Sequence, residues 1–548
     1  MTILRCGRSY RPSTLMALLA ACSCAVTLQA QEKERPIPQI VKKDGRYALM
    51  VDGAPYLMLG AQAHNSSGWP GMLPKVWPAI QALHANTLEI PIYWEQFEPK
   101  PGQFDYSVID AIVTQAREHH VRLDLLWFGT WKNGSQHYMP EWMKSDPVRY
   151  FHLIDKNGHP ADSPSPFCTA SQELDIRAFT AFMRHLKAFD SQRTVIIVQV
   201  ENEAGTWGPV RDYSPAAQKL FDGPVPPDVL KAMGKPGDAS ATWQQAFGSE
   251  AEVNFHAWAV ATYVGKVAAA GKAVYPLPLY ANAALRDPLK PGAPGSYESG
   301  GPTDNVIPIW KVAAPALDIV SPDIYMNDAA SYLKVLDLYR RDDNALFVPE
   351  TIGSAAHARF FFSALGLQAI GFSPFGLDYS NTPPGPVGQP APTDGPGPQD
   401  QFAPTAQNYQ LIAPMMREIA RLNFEGKLQT AVEEKGTPTS TLSFGKWNAV
   451  VTYGGGRGSR VPTGNPEPRG SALIAQLGEN QFLVAGYHCQ VDFRPAAADK
   501  YRQFMRVDEG TYEDGVFKFI RILNGDETDW GLNFRTEPIV LRVSIGVY

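Results

Sequence analysis

The chain alternates between short, almost continuously apolar runs and longer stretches in which apolar residues recur at helical spacing. Helical spacing is clearest over residues 108–120 and 176–189. Strands that are buried on both faces have few polar positions, and a helix between consecutive strands makes those strands parallel. The pattern therefore predicts an α/β fold, a closed (β/α)8 TIM barrel. The eight predicted strands are residues 56–62, 87–93, 122–128, 194–200, 277–281, 319–325, 345–348 and 369–375.

The pattern differs on either side of these runs. Residues 45–59 alternate around Asp52-Gly53, which predicts a hairpin leading into the barrel. Residues 380–401 are dense in Pro and Gly, so we expect either a long ordered loop or a linker, followed by the eighth barrel helix at 406–422. Beyond Phe424, short alternating segments at 446–453, 481–487 and 539–547 predict strands. The expected organisation is a catalytic barrel over residues 36–425 and a smaller, β-sandwich-like all-β domain over 426–548.

The first thirty residues have the composition of a secretory signal peptide. Three arginines precede an apolar run at 15–26, and small or polar residues follow. Cleavage after Ala25 or Ala30 would release the protein to the periplasm or the exterior. Leu19-Ala20-Ala21-Cys22 also matches a lipoprotein cleavage box, which would leave a lipid on Cys22. No later stretch reaches the ~18 apolar residues of a membrane span, so none is predicted.

Composition narrows the class of partner. The chain has 548 residues, 44% hydrophobic and 19% charged, with a net charge of −6. This charge provides no basic surplus to neutralise phosphates, which argues against nucleic acid as a partner and favours a neutral substrate. Twelve Trp and 22 Tyr suit carbohydrate binding. Only two cysteines follow the leader, so neither a disulfide framework nor a metal-ligand spacing is expected. The sequence leaves the oligomeric state open.

Two predicted strands end in carboxylates. The fourth is followed by Glu201-Asn202-Glu203, and the seventh by Pro349-Glu350. In a (β/α)8 barrel the carboxyl ends of the strands face the active site. Cleavage of a glycosidic bond needs a proton donor and a second group for the developing positive charge, and two carboxyl groups supply both. Glu203 and Glu350 are therefore the predicted catalytic pair.

Neighbouring residues support this pair. Asn202 is placed to hydrogen-bond a sugar 2-hydroxyl, and Tyr325 to orient Glu350. Glu201 is expected to be structural or to support the site. His64 is a candidate contact for a sugar hydroxyl, although a core histidine fits equally well. The candidates for aromatic platforms beneath a sugar ring lie near strand ends, and they are Trp94, Trp127, Trp131 and Trp207, of which Trp131 and Trp207 are preferred.

Gln199-Val200-Glu201-Asn202-Glu203 resembles the acid/base motif of glycoside hydrolase family 35, the β-galactosidases. Three further segments resemble that family, at residues 60–64, 94–102 and 139–142, so that the likeness covers roughly residues 45–425. The resemblance implies that Asn202 binds the sugar, Glu203 is the acid/base and Glu350 is the nucleophile. It also implies a reaction that retains anomeric configuration and needs no cofactor or metal.

The chain departs from the family at two positions. Ala204 replaces a usual aromatic residue, and residues 128–131 stand where a sugar-binding Glu is usual. Catalysis is therefore better supported than galactose specificity. The chain resembles a divergent bacterial branch, some members of which remove galactose from xyloglucan side chains. Alternatives are a family 42 β-galactosidase, a β-glucosidase, an arabinosidase, or an inactive barrel that binds polysaccharide.

Overall fold

Eight parallel strands close into a barrel, as the apolar runs predict. The computed structural model describes residues 35–235, 237–380, 398–454 and 462–548. The barrel order is β4-β5-β6-β9-β10-β11-β12-β13, and β13 pairs in parallel with β4 to close it. In chain order the strands are β1 (Gln39–Lys43), β2 (Arg46–Val51), β3 (Ala54–Tyr56), β4 (Met58–Gln62), β5 (Thr87–Tyr93), β6 (Arg122–Lys132), β7 (His152–Ile154), β8 (Pro160–Pro164), β9 (Val195–Asn202), β10 (Leu279–Ala284), β11 (Ile319–Ile324), β12 (Val348–Ile352), β13 (Gly371–Phe375), β14 (Leu428–Val432), β15 (Thr439–Phe444), β16 (Trp447–Tyr453), β17 (Ser471–Gly478), β18 (Gln481–Tyr487), β19 (Cys489–Pro495), β20 (Arg502–Glu513), β21 (Val516–Ile522), β22 (Leu532–Phe534) and β23 (Ile539–Val547).

Helices fill the intervals between the barrel strands. The longest, α9, is buried along much of its length because it packs between α5 and the barrel wall. The α-helices are α1 (Leu73–Ala82), α2 (Trp94–Phe97), α3 (Ser107–Glu118), α4 (Glu141–Lys144), α5 (Thr169–Phe189), α6 (Pro215–Phe221), α7 (Pro227–Ala232), α8 (Trp243–Phe247), α9 (Ala251–Val274), α10 (Ile307–Ala313), α11 (Ala329–Tyr339), α12 (Ala355–Ala358), α13 (Phe360–Gly366), α14 (Pro398–Ile412) and α15 (Met416–Phe424). No helix within the described ranges is both long enough and apolar enough to cross a membrane.

The expected final barrel helix at 406–422 is two helices. A short 3-10 turn, Ala413–Met415, separates α14 from α15. Pro414 lies in this turn, and proline cannot donate the backbone hydrogen bond that a continuous helix needs. The Tyr409 hydroxyl of α14 still bonds the carbonyls of Gly60 and Phe372, at 2.9 and 2.6 Å, which ties the helix to the first and last barrel strands. Most of the predicted Pro/Gly-rich loop, residues 381–397, lies outside the described residues.

The predicted hairpin at Asp52-Gly53 closes one end of the barrel. Both residues have positive φ, 55° and 78°, as a two-residue turn between β2 and β3 requires. Leu49 and Val51 of β2 then pack into the barrel interior, in one apolar cluster with Phe347. The chain therefore seals the end of the barrel at which the strands begin and leaves the carboxyl ends open.

The C-terminal region consists of two sheets, as predicted. Their orders are β14-β17-β18-β23-β20-β21 and β15-β16-β19-β22. Alternate residues of β17 face opposite sides: Leu473 and Ala475 join the core of the barrel, whereas Ala472 and Ile474 join the core between the sheets. The Thr430 hydroxyl donates to the carbonyl of Phe362 in α13 at 2.7 Å. Residues 36–548 form one compact unit, and the boundary at 425/426 stays a prediction.

We predict that Asn344→Ala lowers the free energy of unfolding by about 2–3 kcal/mol. Asn344 is buried, and its side chain bonds both the N–H and the carbonyl of Val320 at 2.9 Å. Truncation would leave buried backbone groups without partners. Urea unfolding checks this, with exposed Asn524→Ala as the matched control, expected within about 0.5 kcal/mol of wild type. Equal midpoints for the two variants would contradict the prediction.

Candidate active site

Three carboxyl groups meet at the open end of the barrel. Glu203 directly follows β9, Asp323 lies in β11, and Glu350 lies in β12. One carboxyl oxygen from each residue lies within 4.8 Å of the other two. All three are buried or nearly so. The strand ends therefore bring together the predicted pair and one further acid, a spacing at which the three groups could also share a cation.

The backbone at the end of β9 determines which acid enters the site. Glu201 and Glu203 both have positive φ, 62° and 43°, which is unusual for residues other than glycine and breaks the alternation of a regular strand. The Glu201 carboxylate accepts a hydrogen bond from the backbone N–H of Trp131 at 2.7 Å and faces Asp175 of α5. Glu201 therefore belongs to the barrel wall, whereas Glu203 lies beside Glu350.

Two residues hold the Glu350 carboxylate. The Tyr325 hydroxyl donates to its Oε1, which is the contact expected from the sequence, and the Gln62 amide donates to Oε2 at 3.1 Å. These bonds stabilise an ionised, oriented carboxylate. The buried Asn202 side chain, by contrast, has no hydrogen-bond partner among the described residues, which leaves its amide for a ligand.

The environment of Glu203 favours its protonated form. Burial, and then the charge of Glu350, raise its pKa to about 7, while Lys132 and the neighbouring Asp323 oppose that rise. An acid with a pKa near neutrality can both give and accept a proton at neutral pH. The two glutamates are therefore suited to different roles.

Lys132 is the cation that offsets this concentration of acids. It ends β6, pairs with Asn202 in the strand register, and is nearly buried. Burial raises the pKa of Asp323 and of Glu298 well above the usual range, neighbouring carboxylates raise both further, and Lys132 counteracts the rise in each. One lysine thus lowers the pKa of three neighbouring acids, Glu203, Glu298 and Asp323.

A cavity of about 430 Å³ opens beside Lys132, at the end of β6. Its wall is tied to the end of β9, because Asn133 and Gly134 donate backbone hydrogen bonds to the carbonyls of Asn202 and Glu203, at 3.2 and 3.0 Å. Trp207 is 52% exposed on its surface, as a sugar platform requires. The other side chains that line the cavity include Asn65, Lys132, His137, Tyr138 and Asp162.

The structure does not support the other proposed platforms. Trp131 is only 1% exposed, its indole N–H donates to the carbonyl of Gly205 at 3.1 Å, and its ring packs edge-on against Tyr263. Trp94 and Trp127 are also fully buried. The expectation that Trp131 stacks on a sugar is therefore wrong, because its position beyond the predicted strand is covered by later parts of the chain.

His64 lies at the end of β4 and is partly exposed. Its Nδ1 pairs with Asp378 at 2.9 Å, and its backbone N–H donates to the same carboxylate at 2.8 Å. This pair joins the loops after β4 and β13. A contact between His64 and a sugar stays a prediction.

Sequence reasoning missed five residues of the site. Gln62, Asn282 and Asp323 are polar residues within otherwise apolar strands, so the strand-end argument that found Glu203 applies to them equally. Lys132 is the last residue of an unexpected extension of β6, and Glu298 lies in a loop. No local pattern marks either of those two.

Comparisons with known proteins point to the same class of enzyme. A family model described as Beta-galactosidase, of glycoside hydrolase family 42, matches residues 75–269, and a model described as Domain of unknown function (DUF5597) matches residues 405–535. The first segment includes Asn202 and Glu203 and ends before Glu350. Beta-galactosidase 14 of Arabidopsis thaliana is 23% identical over 197 residues, which are 34% of this chain and 20% of that protein.

Solved structures share the barrel only distantly. The β-galactosidase of Rahnella sp. R3 is 17% identical with a TM-score of 0.43, covering 59% of this chain and 51% of its own. That of Bacillus circulans sp. alkalophilus is 12% identical with a TM-score of 0.47, covering 66% and 57%. The family model and the plant relative support a glycoside hydrolase of β-galactosidase type. Membership of family 35 in particular stays a prediction, since the matching model is that of family 42.

We predict that Lys132→Met moves the basic limb of the kcat/KM profile to higher pH. In the wild type, kcat/KM should fall as pH rises through about 7, where Glu203 loses its proton. Removing a nearby cation destabilises the Glu203 carboxylate, raises its pKa and extends the acid form upward. Initial rates from pH 4 to 9 test this, with exposed Lys334→Met as the control. A basic limb that stays in place or moves down would contradict the assignment.

Proposed function

We propose that the chain is an exo-acting retaining β-galactosidase that removes terminal β-D-galactosyl residues by double displacement. The observation that carries the proposal is the approach of Glu203 and Glu350 oxygens to within 4.8 Å. Retaining enzymes place their two carboxyl groups roughly 5–5.5 Å apart, whereas inverting enzymes need about 6.5–9.5 Å to admit a water molecule between them. The close spacing favours direct attack by one carboxylate.

The roles follow from the two environments. Glu350, held by Tyr325 and Gln62, attacks the anomeric carbon while protonated Glu203 gives its proton to the departing oxygen. Glu203, now a carboxylate, then takes a proton from water as the water oxygen displaces Glu350 from the sugar. The free amide of Asn202 hydrogen-bonds the 2-hydroxyl, an interaction that strengthens in the transition state.

Several observations favour a sugar leaving group. The cavity beside Glu203 has a volume of about 430 Å³, enough for a further sugar ring, and Trp207 offers a flat apolar surface to it. Neutral side chains such as Asn65 and Tyr138 supply hydrogen-bonding groups. We extend the proposal to plant-wall oligosaccharides, xyloglucan side chains among them, as substrates. The protein acts on them after export to the periplasm or the exterior, either free or anchored through Cys22.

We predict that the mature protein hydrolyses nitrophenyl β-galactoside faster than the corresponding glucoside, arabinoside, fucoside or xyloside, and that α-glycosides are not cleaved. Initial rates on purified protein measure this, and rates with EDTA should be unchanged. Galactose release from galactosylated xyloglucan oligosaccharides then tests the polymer. Preference for another β-glycoside would reject the galactose assignment. No turnover of any glycoside would favour a polysaccharide-binding barrel.

We predict that Glu350→Ala lowers kcat by on the order of 10⁴-fold or more, because it removes the nucleophile. Azide should restore turnover and give the α-galactosyl azide from a β-galactoside, since azide then attacks from the side that Glu350 occupied. The product's configuration is read by NMR. In Glu203→Ala, azide should instead give the β-azide by attacking the galactosyl-enzyme. The reverse pattern of products would exchange the two roles.

A further inference from the structure

The side chain of Asn282 joins the predicted acid/base to the third carboxyl group of the site. Its Oδ1 accepts a hydrogen bond from the backbone N–H of Glu203 at 2.9 Å, and its Nδ2 donates to Oδ2 of Asp323 at 2.6 Å. Asn282 is buried at the end of β10, between the strands that carry the two acids. One amide thus fixes the distance between the Glu203 backbone and Asp323.

Asp323 has no role in a mechanism that needs only two carboxyl groups, yet it lies close to both Glu203 and Glu350. It pairs with Glu350 in the register of β11 and β12, and it is buried. One of its oxygens is within 4.8 Å of oxygens from Glu203 and Glu350. A third acid at this distance would repel the nucleophile if it were ionised.

The surroundings favour a neutral Asp323. Burial, followed by the charges of Glu350 and Glu203, raises its pKa well above the usual range, and Lys132 only partly offsets this. Asn282 occupies Oδ2 of Asp323, and the buried Oδ1 has no hydrogen-bond partner among the described residues, so a hydrogen bond with the nearby Glu203 is open to it. Two carboxyl groups can share a hydrogen bond only when a proton lies between them. A neutral Asp323 has an O–H that can donate this hydrogen bond, whereas an ionised Asp323 can only accept one.

We propose that Asp323, clamped by Asn282, is a protonated positioning residue that donates a hydrogen bond to Glu203 and directs the acid proton of Glu203 toward the glycosidic oxygen. This inference rests on the proposed function. In the first step the Glu203 proton passes to the departing oxygen, the bond from that oxygen to the anomeric carbon breaks, and Glu350 forms its bond to the carbon. Glu203 becomes a carboxylate that the Asp323 O–H stabilises. Asp323 keeps its own proton throughout.

The test compares kcat/KM for aryl β-galactosides whose leaving groups range from dinitrophenol to unsubstituted phenol. Dinitrophenolate departs without a proton, whereas phenolate needs one. Asp323→Ala should therefore lose less than about threefold on the dinitrophenyl substrate and about 100-fold on the phenyl substrate. Asp323→Asn should recover most of the phenyl activity, because its amide still donates to Glu203. Exposed Asp337→Ala is the matched control and should behave as wild type.

Asn282→Ala provides an independent variant, since it releases Asp323 without changing it, and its loss should follow the same trend with leaving group. A uniform loss across the series in a folded variant would overturn the inference, because it would mean that Asp323 binds the sugar or supports the fold. If Asp323→Asn loses as much activity on the phenyl substrate as Asp323→Ala, the inference is overturned too, because an amide that donates to Glu203 would then not replace Asp323. Wild-type protein inert on every substrate would overturn the proposed function as well, whereas an active enzyme with uniform losses rejects the inference alone.

Discussion

Repulsion between buried carboxyl groups is the interaction on which the site depends. Two unit charges separated by 4.8 Å repel by roughly 3–4 kcal/mol at an effective dielectric constant of about 20. Burial adds to this penalty, so the acids of the site cannot all be ionised and are of two kinds, one charged and one protonated. Glu350 has donors on both oxygens and is built to carry charge, whereas Glu203 holds its proton up to a pKa of about 7. A single fold thereby gives two residues of the same type the environments that the proposed nucleophile and acid require.

The barrel keeps these groups close because backbone pairing, and not the side chains, fixes the strand ends. The acids deeper in the barrel are also subject to the penalty for burying charge. Burial raises the pKa of Glu89 and Asp124 well above the usual range, and the Tyr280 hydroxyl donates to Asp124 at 2.8 Å. Buried acids of this kind are held neutral more easily than they are held charged. The interior therefore adds little negative charge beneath Glu350, and Lys132 offsets part of the charge at the open end.

The loops at the open end and the C-terminal sheets contact different parts of the barrel. Lys132 and Trp207 line one cavity, so the cation that lowers the pKa of the acids also borders the cavity in which we propose that the leaving group binds. The C-terminal sheets lie elsewhere on the barrel, where β14 packs on α13 and the faces of β17 are buried on both sides. Their observed contacts stabilise the barrel helices.

Local sequence determined the strands whose burial follows a simple pattern. The bounds of β5 agree with the predicted run because this strand is buried throughout. The bounds of β18 and β23 agree with the predicted alternating segments. The predicted seventh strand, 345–348, was displaced: β12 is Val348–Ile352 and includes Glu350 itself, since pairing with neighbouring strands outweighed the polarity of the strand end. Glu203 and Glu350 were likewise identified from the sequence, because each lies at the end of an apolar run.

Only the tertiary structure decided which other side chains face the site. Glu201, Trp131 and Asp323 all lie near strand ends, yet one belongs to the wall, one is covered by later residues, and one enters the site. Positive φ at the end of β9 and contacts between distant segments make that choice, and neither leaves a periodic pattern in the sequence. The sequence by itself thus determined the barrel and its two principal acids, because both follow from local burial. The third acid, its clamp and the balancing lysine follow from long-range pairing, which only the folded chain specifies.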